Sequence, residues 1–277
     1  MAGDPRSVKI VVTTHKKYRM PVDPVYVPLQ VGASIEKTED GKPLDLGYAR
    51  DDTGENISEK NALYCELTGL YWAWKNLDCD YLGLVHYRRY FGSRTHAAKT
   101  GDPFDAIIGG EELRSVLGTC RVVVPRMRRY YIETLYSHYE HTHYAAHLYE
   151  TRRILADRYP EYLGSFDRVL QRTGGHMFNM MIMDRECLDT YCTWLFDILG
   201  ELEKRIDVTG LSFYQARYCG RVGEIILNVW LDYQLHTGKL RREDICELPY
   251  IYTEKVEWGR KAASFLKAKF FHQKYEF

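Results

Sequence analysis

The run Asp80-Tyr81-Leu82-Gly83-Leu84-Val85-His86-Tyr87-Arg88-Arg89-Tyr90-Phe91 decides how the rest of the chain is read. Tyr81 to Val85 is a short apolar segment with β-branched and aromatic character, the pattern of a buried strand. It stops abruptly in His-Tyr-Arg-Arg, the densest polar cluster in the sequence. Open α/β sheets bind ligands beyond the carboxyl ends of their strands, so chemistry is expected at this point. Two adjacent arginines are costly to bury unless an anion meets them, and a guanidinium fork suits phosphate or carboxylate better than an ammonium does. Pairing of Arg88 and Arg89 with acidic residues, or exposure of one of them, explains the same residues without a ligand.

Working outward, Val8 to Thr13 (VKIVVT) reads as the first buried strand, with Thr13-Thr14-His15-Lys16-Lys17 at its carboxyl end. A polar, cationic loop there is a common nucleotide seat. It lacks the glycines of a dinucleotide fingerprint or a P-loop, and a solvated loop is the alternative. Tyr26 to Gln30 is a second strand, and Glu36 to Gly54 a polar loop able to order over a ligand. Asn56 to Asn76 reads as one helix, N-capped by Ser58, with Asn61, Glu66 and Lys75 on its exposed face. Arg121 to Pro125 is a strand followed by Arg126, Arg128 and Arg129.

Ile132 to Ala156 is helical in pattern and carries His138, His141, His143 and His147. His143 and His147 share the spacing of metal ligands on a helix, but no HExxH motif or nearby cysteine supports a zinc site. Packing, or contact of His138 or His143 with a substrate hydroxyl, is the preferred reading. Gly174-Gly175-His176-Met177-Phe178-Asn179 leads into an apolar strand ending at Asp184. Helices follow over Cys187–Leu202 and Tyr218–Gln234. Glu224 stands between Val222 and Ile225-Ile226-Leu227, so it is partly buried. A buried carboxylate needs a partner such as Arg221, or a role as a base with a raised pKa. Strands alternating with helices give an α/β fold.

The 277 residues, 45% hydrophobic, can bury a large core, and 38 basic residues balance 38 acidic ones. That balance removes any bulk attraction to nucleic acid, and no nucleic-acid partner is expected. The 23 tyrosines suit sugar or base recognition, though they also fill cores. Seven cysteines without a CxxC pair read as buried thiols in a reducing compartment. With no leader-like apolar region and no run of the ~18 residues a membrane span needs, the expected location is cytoplasmic. The tail from Lys255 to Phe277 interleaves Lys and Arg with Trp258, Phe265, Phe270, Phe271 and Tyr275. It offers peripheral contact with the inner face of the cytoplasmic membrane, or a helix docked on the core. The expected organisation is one nucleotide-binding domain over 1–250 and a tail over 251–277.

Four blocks in order, ENISEKNALYCELTGLYWAWKN (55–76), HYRRYF (86–91), HMFNMMIM (176–183) and GRVGEIILNVWL (220–231), resemble one bacterial family. It is the family of capsular, exopolysaccharide and lipopolysaccharide glycosyltransferases long carried as a domain of unknown function, some of whose members look like galactofuranosyltransferases. The resemblance runs from about Val8 to Gln234. It implies a GT-A-like α/β fold with a mixed or parallel central sheet and a helical C-terminal portion. It also implies transfer of galactofuranose from UDP-galactofuranose to a lipid-linked surface-polysaccharide acceptor, with inversion. Alternatives are another UDP-sugar such as UDP-galactopyranose, or a non-catalytic subunit binding sugar nucleotide or glycan.

GT-A enzymes usually place Asp-x-Asp here to hold Mn²⁺ or Mg²⁺; this chain has His86-Tyr87-Arg88. Carboxylates bind such hard cations and arginine does not, so Arg88 and Arg89 are expected to meet the UDP diphosphate without a metal, Mn or Mg being the alternative. The resemblance further places Thr13, Thr14, His15, Lys17, Lys60, Asn61, His86 and Tyr87 at the donor. It places His176, Asn179, His138 and Arg221 at the sugar or acceptor. Glu224 is the first candidate for the base and Asp184 the second, Asp184 also being an ordinary N-cap.

Overall fold

Tyr81–Val85 is a strand with both faces covered, as its unbroken apolar character requires. A computed structural model describes residues 7–95 and 101–254. The tail expected to meet a membrane, Lys255–Phe277, lies outside the described residues. The strands in chain order are β1 (Val8–Thr14), β2 (Tyr26–Gln30), β3 (Ala49–Arg50), β4 (Tyr81–His86), β5 (Arg89–Phe91) and β6 (Val122–Pro125). They continue with β7 (Arg128–Arg129), β8 (Gly174–Gly175), β9 (Met181–Asp184), β10 (Ile245–Leu248) and β11 (Tyr250–Tyr252). The helices are α1 (Asn61–Tyr64), α2 (Leu67–Asn76), α3 (Gly110–Leu117), α4 (Leu135–Thr142) and α5 (Ala146–Arg158). After them come α6 (Leu163–Leu170), α7 (Arg185–Arg205), α8 (Phe213–Ala216) and α9 (Tyr218–His236).

The main sheet runs β10-β6-β9-β4-β1-β2-β3. β1 to β4 are parallel, β6 and β10 point the same way, and β9 is reversed between β4 and β6. This is the mixed α/β sheet expected from the sequence. Its interior strands supply fully buried Ile10, Val11, Val12, Leu84, Val85, Val123 and Ile182. α2 lies on β1 and β4, α7 on β9, and α9 on α1, α6 and α7. Gly69 permits the α2 approach: a Cβ there would stand 2.7 Å from Thr13 Cγ2. Among the described residues no helix is long and apolar enough to cross a membrane.

Four local expectations are corrected. Asn56–Asn76 is broken: a 3-10 turn (Ser58–Lys60) and α1 end at Cys65, whose φ of 53° turns the chain before α2 begins. Ser58 does not cap that helix; its hydroxyl donates to Asp51. Ile132–Ala156 is likewise split at His143, which adopts an extended conformation between α4 and α5. The boundary at 250/251 falls inside β11, which pairs with β5, and Glu254 beyond it bonds Tyr18 and Arg88.

Candidate active site

Parallel pairing of β1 with β4 sets Thr13 beside His86 at the carboxyl edge of the sheet. Thr13 Oγ1 donates to Val85 O at 3.2 Å, Tyr87 N–H donates to Thr13 O at 3.1 Å, and the His15 ring meets Tyr87 edge-on. The sequence after His86 does not run on into a loop. It turns back through Tyr87-Arg88 into β5, so that His86 and Arg89 face each other across a hairpin. The two arginines therefore diverge. Arg88 is exposed and paired with Glu254 at 3.3 Å. Arg89 is half-buried, its guanidinium 4.6 Å from the Phe178 ring centre and 5.4 Å from that of Tyr252. Its buried Nε has no hydrogen-bond partner among the described residues.

The loop before β9 closes the other side of this edge. Phe178 and Asn179 both hold positive φ, 75° and 51°. That conformation is tolerable for asparagine and costly for phenylalanine, so surrounding contacts must hold it. They do: His86 Nε2–H donates to Phe178 O at 2.6 Å, and Asn179 Nδ2 donates to Gly220 O at 2.8 Å and Glu66 Oε1 at 2.6 Å. Glu66 reaches that position because of the turn at Cys65. Asn61 Nδ2 fixes the turn by donating to Cys65 O and Thr68 Oγ1, and Thr68 in turn donates to the buried Asp51.

Glu224 lies on α9 one turn beyond Gly220, and its pKa is pushed up to about 7. Burial is the largest cause and the Glu66 carboxylate the second; the Phe178 backbone N–H, Arg89 and Arg128 pull the other way. Two carboxylates sharing a desolvated space resist double ionisation. Burial also holds His86 below its ordinary value, with Glu66 opposing and Arg89 and Arg88 adding to the effect. Arg217 completes the group: its Nε donates to Cys65 Sγ at 3.0 Å, and its charge is felt by both Glu66 and His15. The edge thus combines a carboxylate that accepts a proton near neutrality with histidine and arginine groups suited to an anion.

Several residues expected at the site lie elsewhere. Asp184 is at the far end of the sheet, because β9 runs antiparallel and pairs Asp184 with Tyr81, the first residue of β4. Its carboxylate caps α7 through Cys187 N–H and binds Arg121, so it is no base for chemistry at His86. Lys60 pairs with Glu203 of α7, and Lys17 donates to Leu46 O over the Tyr48 ring; neither faces the arginines. Lys16, which the sequence did not single out, stands over Tyr87 instead. Thr14 bonds within its own loop, and Asn61 acts through the bend at Cys65.

Arg221 stacks on Tyr214 and donates to its carbonyl, close enough to help hold His143 neutral. His138 is bound with His141 to the buried carboxylate of Glu133. His147 is buried against Tyr139 and Tyr218. Among the described residues no group of three His, Cys, Asp or Glu is arranged to hold a metal ion, at this cluster or at His86. Arg88 and Arg89 are cationic and do not ligate a hard cation such as Mn²⁺ or Mg²⁺, which takes oxygen ligands. Glu66 is the main residue missed by reading the sequence. It stands between Cys65 and Leu67 as Glu224 stands between apolar neighbours, so the argument that singled out Glu224 applies equally to it.

Burial lowers the pKa of His15, His86, His138, His143 and His176, with His143 falling to about 2. Unfolded histidines titrate near ~6.5, so below that pH the unfolded chain binds more protons and stability falls. Glu224 opposes this between about 7 and its unfolded value, since its raised pKa favours proton uptake by the fold. Five groups outweigh one, so the urea midpoint is expected to be lower at pH 5.5 than at pH 7.5. A level or rising midpoint would show that these histidines are not held neutral.

The sheet and its helices form a glycosyltransferase fold. The chain is similar to the WbbM bifunctional glycosyltransferase in its apo structure, with a TM-score of 0.79 and 27% identity over 90% of this chain and 46% of that one. It therefore spans just under half of that protein's length. Residues 9–235 match the family described as Domain of unknown function (DUF4422), and the chain belongs to that family. A comparison with curated proteins gave no match.

Proposed function

We propose that the chain is a UDP-sugar-dependent, inverting glycosyltransferase. On the family resemblance the donor is UDP-galactofuranose and the acceptor a lipid-linked surface glycan. The observation that carries the reading is the Glu224 carboxylate, raised towards neutral pH by burial and by Glu66, with Arg89 acting on it and Glu66 in turn acting on His86 and Arg217. Similarity to a bifunctional glycosyltransferase supports it.

In this mechanism Glu224 removes the proton of the acceptor hydroxyl as its oxygen bonds to the anomeric carbon. The bond from that carbon to the phosphate oxygen breaks, and UDP departs with the electron pair. Arg88, Arg89 and Arg217 offset the diphosphate charge without a metal, in a partly desolvated site where such charges act strongly. Arg88 exchanges Glu254 for the ligand; at this exposure that ion pair holds it weakly.

Calorimetric titration with UDP tests the donor half. Binding is expected to persist in EDTA and to weaken about tenfold or more in Arg88→Ala, the scale of one lost charge-assisted hydrogen bond. Binding that needs Mn²⁺ would transfer the charge-neutralising role to a metal. Absence of binding in both conditions would reject UDP as the leaving group.

A further inference from the structure

One turn of α9 beyond Glu224, Asn228 begins a pocket of about 360 Å³ between α9 and β10. That volume is near the lower end of ordinary small-ligand sites, ~300–1,000 Å³, and suits a sugar residue better than a whole nucleotide sugar. Asn228 ties the two places together: its Nδ2 donates to Glu224 O at 2.8 Å and His176 O at 2.9 Å, and its Oδ1 accepts from His176 N–H at 2.7 Å. Neither Asp232 nor Arg242, Arg94 or Arg172 around this pocket is used by the mechanism above.

The lining has three chemical parts. On the floor, buried His176 donates from Nδ1 to Pro125 O at 2.8 Å, which leaves Nε2 as an acceptor. Glu247 Oε1 lies 3.8 Å from that Nε2, so two acceptors face the pocket side by side, a match for hydroxyl donors on neighbouring ring carbons. Leu231, Leu235 and Ile245 supply an apolar wall for the C–H face of a sugar ring. On the rim, Arg94, Arg172 and Arg242 are exposed. Asp232 is held by Arg172 and by Arg168 from outside the lining, so four guanidinium groups (Arg94, Arg168, Arg172, Arg242) surround two carboxylates (Asp232, Glu247). The balance is positive, and no ion pair engages Arg242 among the described residues.

We propose that this pocket binds an acidic sugar residue, its ring hydroxyls on His176 and Glu247 and its anionic group on Arg242 and Arg172. Its identification as a seat for the acceptor glycan rests on the transferase reading; the binding itself does not. Guanidinium pairs serve carboxylate and phosphate alike, so the anion is a uronate or a sugar phosphate.

The test is titration of the full chain, followed by calorimetry, with a glucuronate-terminated disaccharide, its neutral glucose counterpart and glucose 6-phosphate. The uronate is expected to bind at least about tenfold more tightly than the neutral sugar, and Arg242→Ala to remove about that factor. UDP binding by Arg242→Ala is expected to be unchanged. Tighter binding of glucose 6-phosphate, also lost in Arg242→Ala, would support the site and identify the anion as phosphate. Equal binding of acidic and neutral sugars, no binding of any of the three, or an unaffected Arg242→Ala would overturn the proposal. Sugar binding without any UDP binding would leave the pocket standing and remove the transferase reading.

Discussion

Glu224→Gln is expected to cut turnover by about 10²–10⁴-fold, the usual contribution of a positioned general base, and to leave UDP affinity unchanged. The substitution keeps size and polarity but cannot accept the acceptor's proton. The donor-binding groups lie on β1, in the β4–β5 hairpin and at Arg217 just before α9, and Glu224 is not among them, so binding and turnover separate. A subunit that merely binds sugar nucleotide would keep its function in this variant, which makes the measurement decisive between catalyst and binder. The wild-type pH–rate profile should show an acid limb near pH 7, where Glu224 becomes ionised. Glu66→Gln removes the neighbouring negative charge that raises the Glu224 pKa, so the limb should move to lower pH. An unmoved limb in Glu66→Gln would mean that burial alone sets the pKa. Full activity in Glu224→Gln would assign the base elsewhere.

The sequence made the strands legible because they are buried on both faces. Val8–Thr13, Tyr81–Val85, Arg121–Pro125 and the apolar run ending at Asp184 are continuous apolar segments bounded by polar residues, a signal independent of tertiary context. The α9 segment was readable for the same reason, and with it Glu224 as a carboxylate among apolar neighbours. Strand direction was not readable. A short apolar run has no local sign of whether it lies parallel or antiparallel to its partner, and the reversal of β9 carries Asp184 to the wrong end of the sheet. Helix interruptions were equally silent. Cys65 takes φ of 53° because Asn61, Thr68 and Asp51 converge on that bend from three places in the sequence. This tertiary demand brings Glu66 from an expected exposed face into the site. The Phe178–Asn179 turn is similar: asparagine permits left-handed backbone, but phenylalanine at φ of 75° obeys His86, a contact 92 residues away.

That convergence makes Asp51 the residue whose loss should cost most in stability. Its side chain is completely buried and accepts four hydrogen bonds: from Gly32 N–H and Ala33 N–H at 3.0 Å each, Ser58 Oγ at 2.5 Å and Thr68 Oγ1 at 2.7 Å. Asp51→Ala leaves four donors without their acceptor, at about 1–3 kcal/mol for each buried group. Partial relaxation and entry of water reduce the sum, so a loss of more than about 4 kcal/mol is expected, a large part of the ~5–15 kcal/mol that holds a typical domain. Asp51→Asn keeps one acceptor oxygen and turns a second donor towards N–H and O–H groups, so its loss should be smaller but clear. The effect should also reach the chemistry. Thr68 accepts from Asn61, and Asn61 holds the Cys65 carbonyl that positions Glu66, so Asp51→Asn should lower turnover and shift the acid limb even where the chain remains folded. Urea unfolding of both variants, paired with pH–rate profiles of Asp51→Asn below its melting temperature, measures the two effects separately. An Asp51→Ala midpoint equal to wild type would show that packing of α2 on β1, through the Gly69 approach, carries this corner of the fold instead. A destabilised Asp51→Asn with an unmoved acid limb would detach Glu66 from the network and leave its position to Asn179 alone.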